Sequence, residues 1–340
     1  MFQPVNASIA PAASGGGSLA VGILAVPCVA PAQAARKIYR IGILGSSTPT
    51  SEMVGPQPRN PAVVALLRGL HELGYVYGEH FVTEARSGEG KPQRYPIVAA
   101  ELVGLQVDVI VAGGPVLPAL KQATSTIPVI MGAAGDPVRE GFVQSLRRPG
   151  WNFTGLSLQL VETTVKRLEL LKELVPGAAP VAVLRSDPAG LSSWQAAESA
   201  AKERGWKLIS LVIRDAVEIE AAFKAAAAAG VGGLLVLPIG ILDPHARRIA
   251  ELAAKSRLPA MYGLRFYVEA GGLISYSADV IEMWRRAAVF VDKILKGANP
   301  ADLPVEQPTK FELVINLKAA RSIGLTIPKQ VLSRADEVMQ

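Results

Sequence analysis

From Tyr39 onward the apolar positions fall into two alternating rhythms. Short runs rich in Val, Ile and Leu are followed by longer segments with apolar residues three and four apart, the pattern of parallel strands joined by amphipathic crossover helices. YRIGILG (39–45) precedes NPAVVALLRGLHELGY (60–75), and FVTEAR (81–86) precedes QRYPIVAAELVGLQ. VDVIVAGG (107–114) precedes VLPALKQAT, and IPVIMGAA (127–134) precedes an amphipathic stretch that starts at Asp136-Pro137. Four βα units make one lobe, and Asp136 is placed to cap its fourth helix.

After Thr154-Gly155-Leu156 the rhythm restarts. A helix is expected over 161–175, a strand at PVAVLRS (180–186), a helix over 192–206 and a strand at KLISLVIRD (207–215). The Ala-rich AAFKAAAAAG, the strand VGGLLVLPIG (231–240), the helix PHARRIAELAAKSR and the strand LPAMYG (258–263) complete a second sheet. The fold class is α/β: two doubly wound, Rossmann-like lobes joined by crossover segments, with the carboxyl ends of both strand sets facing a common cleft.

The first 35 residues break the rhythm. They contain no Asp, Glu, Lys or Arg, and the apolar run Leu19 to Ala30 leads to Ala32-Gln33-Ala34, so residues 1–35 read as a secretory signal peptide cleaved near Ala35 or Arg36. A signal usually opens with Lys or Arg, and this one does not; an apolar tail is the alternative. Cys28 is the only cysteine and lies within that leader, so the exported chain would hold no disulfide.

Composition narrows the function classes. The chain has 340 residues, half of them apolar, enough for two lobes with sizeable cores. A net charge of +6 with mixed signs and no long basic run argues against a nucleic-acid stripe. His71, His80 and His245 stand apart from any Cys or acidic partner at metal-ligand spacing, and G-x-G-x-x-G, the phosphate loop and G-x-S-x-G are absent. No cofactor or metal is expected, and no enzyme.

The strand ends offer hydrogen bonding in place of reactivity. Ser46, Ser47 and Thr48 follow the first strand; they suit a small polar group, or form a plain turn. Gly113 and Gly114 leave bare backbone after the third. Asp136 is a cap, or a cap that is a ligand contact as well. In the second lobe Arg185 is the candidate anion partner, with a surface ion pair as its other reading, and Asp187 stands beside it. Tyr262, Phe266 and Tyr276 divide between pocket wall and core. Trp194 reads as helix packing.

Further words along the chain carry a resemblance: LRGLHELGYVYGEHF, QATSTIPVIMGAAGDPV, LRRPGWNFTGLS, KRLELLKELVPG, YVEAGGLISYS and FVDKILKGANPADLPVEQPTKFELVINLKAA. With YRIGILG and RLPAMYG they resemble the substrate-binding proteins of a bacterial ABC-transport family that includes tryptophan- and tyrosine-type uptake components. Two places depart from the family's pattern, Trp151 before Asn152 and the segment Arg185-Ser186-Asp187.

The resemblance implies a type I periplasmic binding-protein fold, a monomer that closes on a small organic solute, an amino acid or an aromatic or organic carboxylate, and delivers it to an ABC permease in the inner membrane. A sensory binding protein presenting its ligand to a membrane receptor is the alternative, and a periplasmic enzyme on the same scaffold a weaker one. Lobe one is expected over 36–155 and about 276–303, lobe two over 156–275 and about 304–340. The crossovers are expected near Thr154 to Ser157, Ser275 to Ser277 and between Pro304 and Thr309. The expected ligand residues are Ser46, Ser47, Thr48, Gly113, Gly114, Asp136, Arg185, Asp187, Tyr262 and Tyr276.

Overall fold

The computed structural model describes residues 37–177, 179–186 and 190–340, so the segment expected to be a leader, Cys28 and Asp187 lie outside the described residues. The chain runs through β1 (Tyr39–Gly45), α1 (Pro61–Glu72), β2 (Phe81–Ser87), α2 (Tyr95–Gly104), β3 (Val109–Gly113), α3 (Leu117–Ala123), β4 (Val129–Ala134) and β5 (Phe153–Ser157). There follow α4 (Leu160–Leu174), β6 (Val181–Arg185), α5 (Leu191–Glu203), β7 (Leu208–Val212), α6 (Ile219–Ala228), β8 (Gly233–Val236), α7 (Ala246–Lys255), β9 (Ala260–Tyr262), α8 (Arg265–Glu269) and β10 (Ile274–Ala278). The last elements are α9 (Val280–Leu295), β11 (Phe311–Asn316), α10 (Leu317–Ser322), α11 (Lys329–Leu332) and β12 (Glu337–Met339).

Two sheets result. The first has five parallel strands in the order β2-β1-β3-β4-β5, and the second seven in the order β12-β11-β10-β9-β8-β6-β7. Only the pairing of β10 with β11 is antiparallel among the described strands. Strand alternation explains the layering: Ile41 and Ile43 of β1 point to one face with α1 and α9, while Leu44 joins the helices of the other face. In β6, Ala182 and Leu184 likewise face the α6 and α7 side, and Val181 and Val183 the α4 and α5 side.

The expected fourth helix of lobe one is not formed. Between β4 and β5 the chain makes a single turn, closed by Glu140 N to Asp136 O at 2.9 Å, and Gly141 then takes a left-handed φ of 71°. Asp136 therefore caps a turn, not a helix. A left-handed glycine four residues after Pro137, with Pro149-Gly150 beyond, leaves no uninterrupted stretch for nucleation. The vacant sheet face is covered instead by α9, whose Trp284 lies over Gly132 of β4 and whose backbone meets Gly69 of α1.

The chain passes between the sheets in three places, after β5, after β10 and before β11. β5 continues to Ser157 within the first sheet, all of β10 belongs to the second, and Val305 is in the core of the first lobe. The crossovers are tied together: Ser157 N donates to Glu306 O at 3.0 Å, Glu306 N to Gly155 O at 2.8 Å, and Thr154 Oγ1 to Leu303 O at 2.7 Å. Gly155, at φ 127°, is packed so closely that an added Cβ would stand 2.4 Å from Met131 O, a place only glycine fills without strain.

Candidate functional site

Both lobes use one winding, β2-β1-β3-β4-β5 and β7-β6-β8-β9-β10, so strand order reverses between β1 and β3 and again between β6 and β8. Loops leaving such neighbours turn to opposite faces and open a crevice at the carboxyl ends. Ser46 and Gly113 flank the first crevice, and Arg185 with the loop after β8 flanks the second. The crossovers leave from the same ends of β5 and β10, which sets the two crevices toward each other.

The lobes touch. A Cβ built on Gly240, after β8, would lie 2.4 Å from Pro115 Cβ, after β3, and one on Gly90 would lie 3.8 Å from Pro244 Cβ. Gly90 follows β2, at the edge of the sheet opposite the crossovers, so the lips meet on the side away from the linkers. This is a shut cleft.

Lobe one shapes its rim with backbone bonds. Gly88 N donates to Gly45 O at 3.1 Å and Gly90 N to Ser46 O at 2.9 Å, which pins the loop after β2 to the end of β1. Thr48 Oγ1 accepts from Asn60 Nδ2 at 2.9 Å, and Asn60 itself caps α1 through Val63 N at 3.0 Å. The hydroxyl of Thr48 thus orients a cap. Gly114 takes a left-handed φ of 66°, allowing Pro115 to face the other lobe.

Asp136 is engaged on both oxygens: Oδ1 accepts from Arg139 N at 3.1 Å, and Oδ2 lies 3.3 Å from Arg139 Nε. Its own N–H donates to Glu140 Oε1 at 2.8 Å. Burial pushes the Glu140 carboxyl above its ordinary range, opposed by that hydrogen bond.

In lobe two Arg185 is 7% exposed at the end of β6. Its Nε donates to Ser210 Oγ at 2.8 Å, and its guanidinium lies 5.2 Å from the Trp194 ring centre, so the helix-packing tryptophan also carries a cation on its face. Tyr276 is half-buried and stacks on Phe311 at 5.6 Å beside the crossovers. Phe266 is 37% exposed, with its ring stacked on Tyr267.

Tyr262 is a correction. It has no exposed surface, stacks on Tyr267 at 5.1 Å, and its hydroxyl lacks a hydrogen-bond partner. Gly272 closes over its ring, so it belongs to the core of lobe two and forms no wall of the cleft.

Three polar groups went unnoticed in the sequence. Arg167 of α4 is buried; its Nε donates to Tyr276 O at 2.7 Å and Nη2 to Gly263 O at 3.2 Å. Desolvation lowers its pKa to about 9, leaving it charged at neutral pH. Asp243, part-buried in the loop after β8, accepts from Tyr267 Oη at 3.1 Å, and desolvation pushes its carboxyl up to about 7. Burial raises the hydroxyl of Tyr95, at the start of α2 in lobe one, above its ordinary value, and the charge of Asp243 adds to the shift. The available signal was Leu242-Asp243-Pro244, an Asp-Pro pair after a strand like Asp136-Pro137.

A pocket of about 510 Å³, lined by Lys121, Thr126, Trp151, Asn152 and Pro300, lies at the opposite pole of lobe one, by the starts of β4 and β5. It faces away from the strand ends that gather at the cleft. Among the described residues no cluster of His, Cys, Asp and Glu could hold a metal ion, and no helix is long and apolar enough to cross a membrane.

Comparison with known proteins agrees with this geometry. A "Tyrosine-binding protein" of Clostridioides difficile is 25% identical over 281 residues, 81% of this chain and 80% of that protein. The structure of an ABC domain from Streptococcus pneumonia in complex with L-Trp superposes with a TM-score of 0.80 at 25% identity, covering 89% of this chain and all of that one. A conserved domain protein from Vibrio cholerae superposes at 0.79 with 27% identity, again over 89% of this chain and the whole of the other. The fold is that of the type I periplasmic binding proteins. The family model for ABC transporter substrate binding proteins matches residues 52–339, and the chain belongs to that family.

Proposed function

We propose that this protein works in the periplasm after removal of its leader, captures an amino acid between its lobes and hands it to an ABC permease without transforming it. The observation that carries this reading is the contact of the two lips, Pro115 with Gly240 and Gly90 with Pro244, opposite three linkers. Such a body opens by rotation about the linkers, and a solute touching both crevices favours the shut form by its differential affinity. Relatives described as tyrosine-binding and as complexed with L-Trp support an aromatic amino acid as the class to try first.

Arg185 supplies the charge for a carboxylate, Gly113 and Gly114 bare backbone, and Ser46 and Ser47 hydroxyls. Phe266 and Tyr276 supply aromatic surface at the rim. A thermal-shift series with the twenty amino acids tests the reading: a binder at about a hundred times its dissociation constant adds roughly 2.7 kcal/mol of stability, a rise of several degrees. No shift with any amino acid, confirmed by calorimetry, would overturn the assigned solute class.

A further inference from the structure

The pocket of about 510 Å³ at the far pole of lobe one has the size of a small-molecule site, and hydrogen bonds fix its walls. Thr124 Oγ1 accepts from Thr126 N at 3.2 Å and from Ile127 N at 3.0 Å, and Asn152 Nδ2 donates to Ile127 O at 2.8 Å. Gly150 N donates to Ala301 O at 3.0 Å, which joins the wall before β5 to the segment after α9, where Asn299 Oδ1 accepts from Ala301 N at 3.1 Å. Buried Phe142, stacked on Phe153 at 5.5 Å, supplies apolar lining.

What these bonds leave over is mostly donor. Among the described residues, Lys121 Nζ, the hydroxyls of Ser125 and Thr126 and Asn299 Nδ2 have no hydrogen-bond partner, against one free amide acceptor, Asn152 Oδ1. Lys121 is the one charged residue of the lining, and no Asp or Glu lines it. It forms no ion pair among the described residues; its Nζ lies instead 5.6 Å from the centre of the Trp151 ring, which is 44% exposed. Left-handed Gly141 makes room for it, since a Cβ there would stand 3.0 Å from that Nζ. Arg147 and Arg148 are exposed just before Gly150 and add positive potential. Of the acids nearest along the chain, Glu140 faces the Asp136 amide, and Asp302 is exposed beyond Ala301.

We propose that this pole holds a second binding site, for a small aryl carboxylate whose flat body lies against Trp151 and whose anionic group is met by Lys121 Nζ. Ser125, Thr126 and Asn299 Nδ2 are its further donors. The ammonium exchanges an exposed contact with the indole for a charge-assisted hydrogen bond, the stronger of the two. A neutral molecule of the same shape keeps the stacking and loses that bond. A free amino acid suits the pocket less than a simple acid does, because no lining carboxylate receives its ammonium. The site thus differs from the cleft in place and in chemistry, and it stands whether or not the cleft takes an amino acid.

The probe is 2-naphthoate, with 2-naphthamide as its neutral counterpart. Nitrogen-edited NMR of the indole N–H groups reads the site directly, because Trp151 is one of four tryptophans and its signal is identified by loss in Trp151→Phe. Naphthoate should shift that signal saturably with a dissociation constant of about 1 mM or below, ordinary for a ligand of so few atoms. The amide should bind about tenfold more weakly or worse, the difference a charge-assisted hydrogen bond makes. Lys121→Met should impose the same loss on naphthoate and none on the amide, and Lys121→Arg should restore most of it. Lys121 and Trp151 are both exposed, so these variants should keep the parent melting temperature.

A Trp151 signal that stays in place up to about 10 mM naphthoate overturns the site. Equal binding of acid and amide, or an unaffected Lys121→Met, overturns its selection of anions. Shifts confined to Trp194, the ring beside Arg185, would put the acid in the cleft, which counts against a second site and leaves capture between the lobes standing. Should Lys121→Met not fold, the contrast between acid and amide in the parent protein decides.

Discussion

Asp136 shows how a short dipeptide can promise more than it delivers. Asp-Pro after a strand is a sound N-terminal signal, and its carboxylate does accept from Arg139 N, but the helix it announces ends after one turn. With Oδ1 on that amide and Oδ2 by the Arg139 side chain, Asp136 is occupied locally. Asp136→Asn should therefore keep both the melting temperature and the affinity for L-tryptophan, while Asp136→Ala should lower stability by about 1 kcal/mol, read by urea denaturation. A loss of affinity in the Asn variant would return Asp136 to the ligand site. Asp243, with the same dipeptide signal, was hidden because its partner Tyr267 comes from a helix 24 positions on, which no local pattern encodes.

Packing between elements decides the sign of substitutions that propensity alone would misjudge. In the middle of a helix, Gly→Ala ordinarily gains about 1 kcal/mol. At Gly69 the new Cβ would stand 2.4 Å from Arg285 O of α9, a backbone atom that cannot step aside, so Gly69→Ala should destabilise by about 1–3 kcal/mol. Chemical denaturation checks it, and a stabilised variant would mean that α1 and α9 are not in close contact. Arg167 joins α4 to the end of β9 and the middle of β10 through two carbonyls; Arg167→Met removes both bonds and should lose about 2 kcal/mol, relief of the desolvated charge offsetting part of the damage.

Strands and helices were largely legible because their periods are local: β1 as YRIGILG, α1 within 60–75 and α4 near 161–175 lie close to their expected bounds. What escaped were partnerships at long range. Tyr262 sits at a strand end, where a ligand wall is a fair expectation, yet Tyr267 and Gly272 enclose it, and their closeness in space is a property of the finished sheet. Trp284 over Gly132 is equally invisible along the chain, although it accounts for how β4 manages without a helix of its own.

For the whole molecule, the three linkers and the lips opposite them predict a change of shape on binding. Scattering with and without saturating L-tryptophan should show compaction, and identical curves would argue for a rigid site. The same wiring bears on how the chain acquires its fold. The first lobe needs α9, so contacts such as Gly69 with Arg285 and Gly132 with Trp284 span well over a hundred positions, and the strand-like tether at Glu306 comes later still. Loops of that length close late and slowly. An emerging chain therefore cannot complete its first core until nearly all of it has been made, and it stays unfolded and threadable for that time.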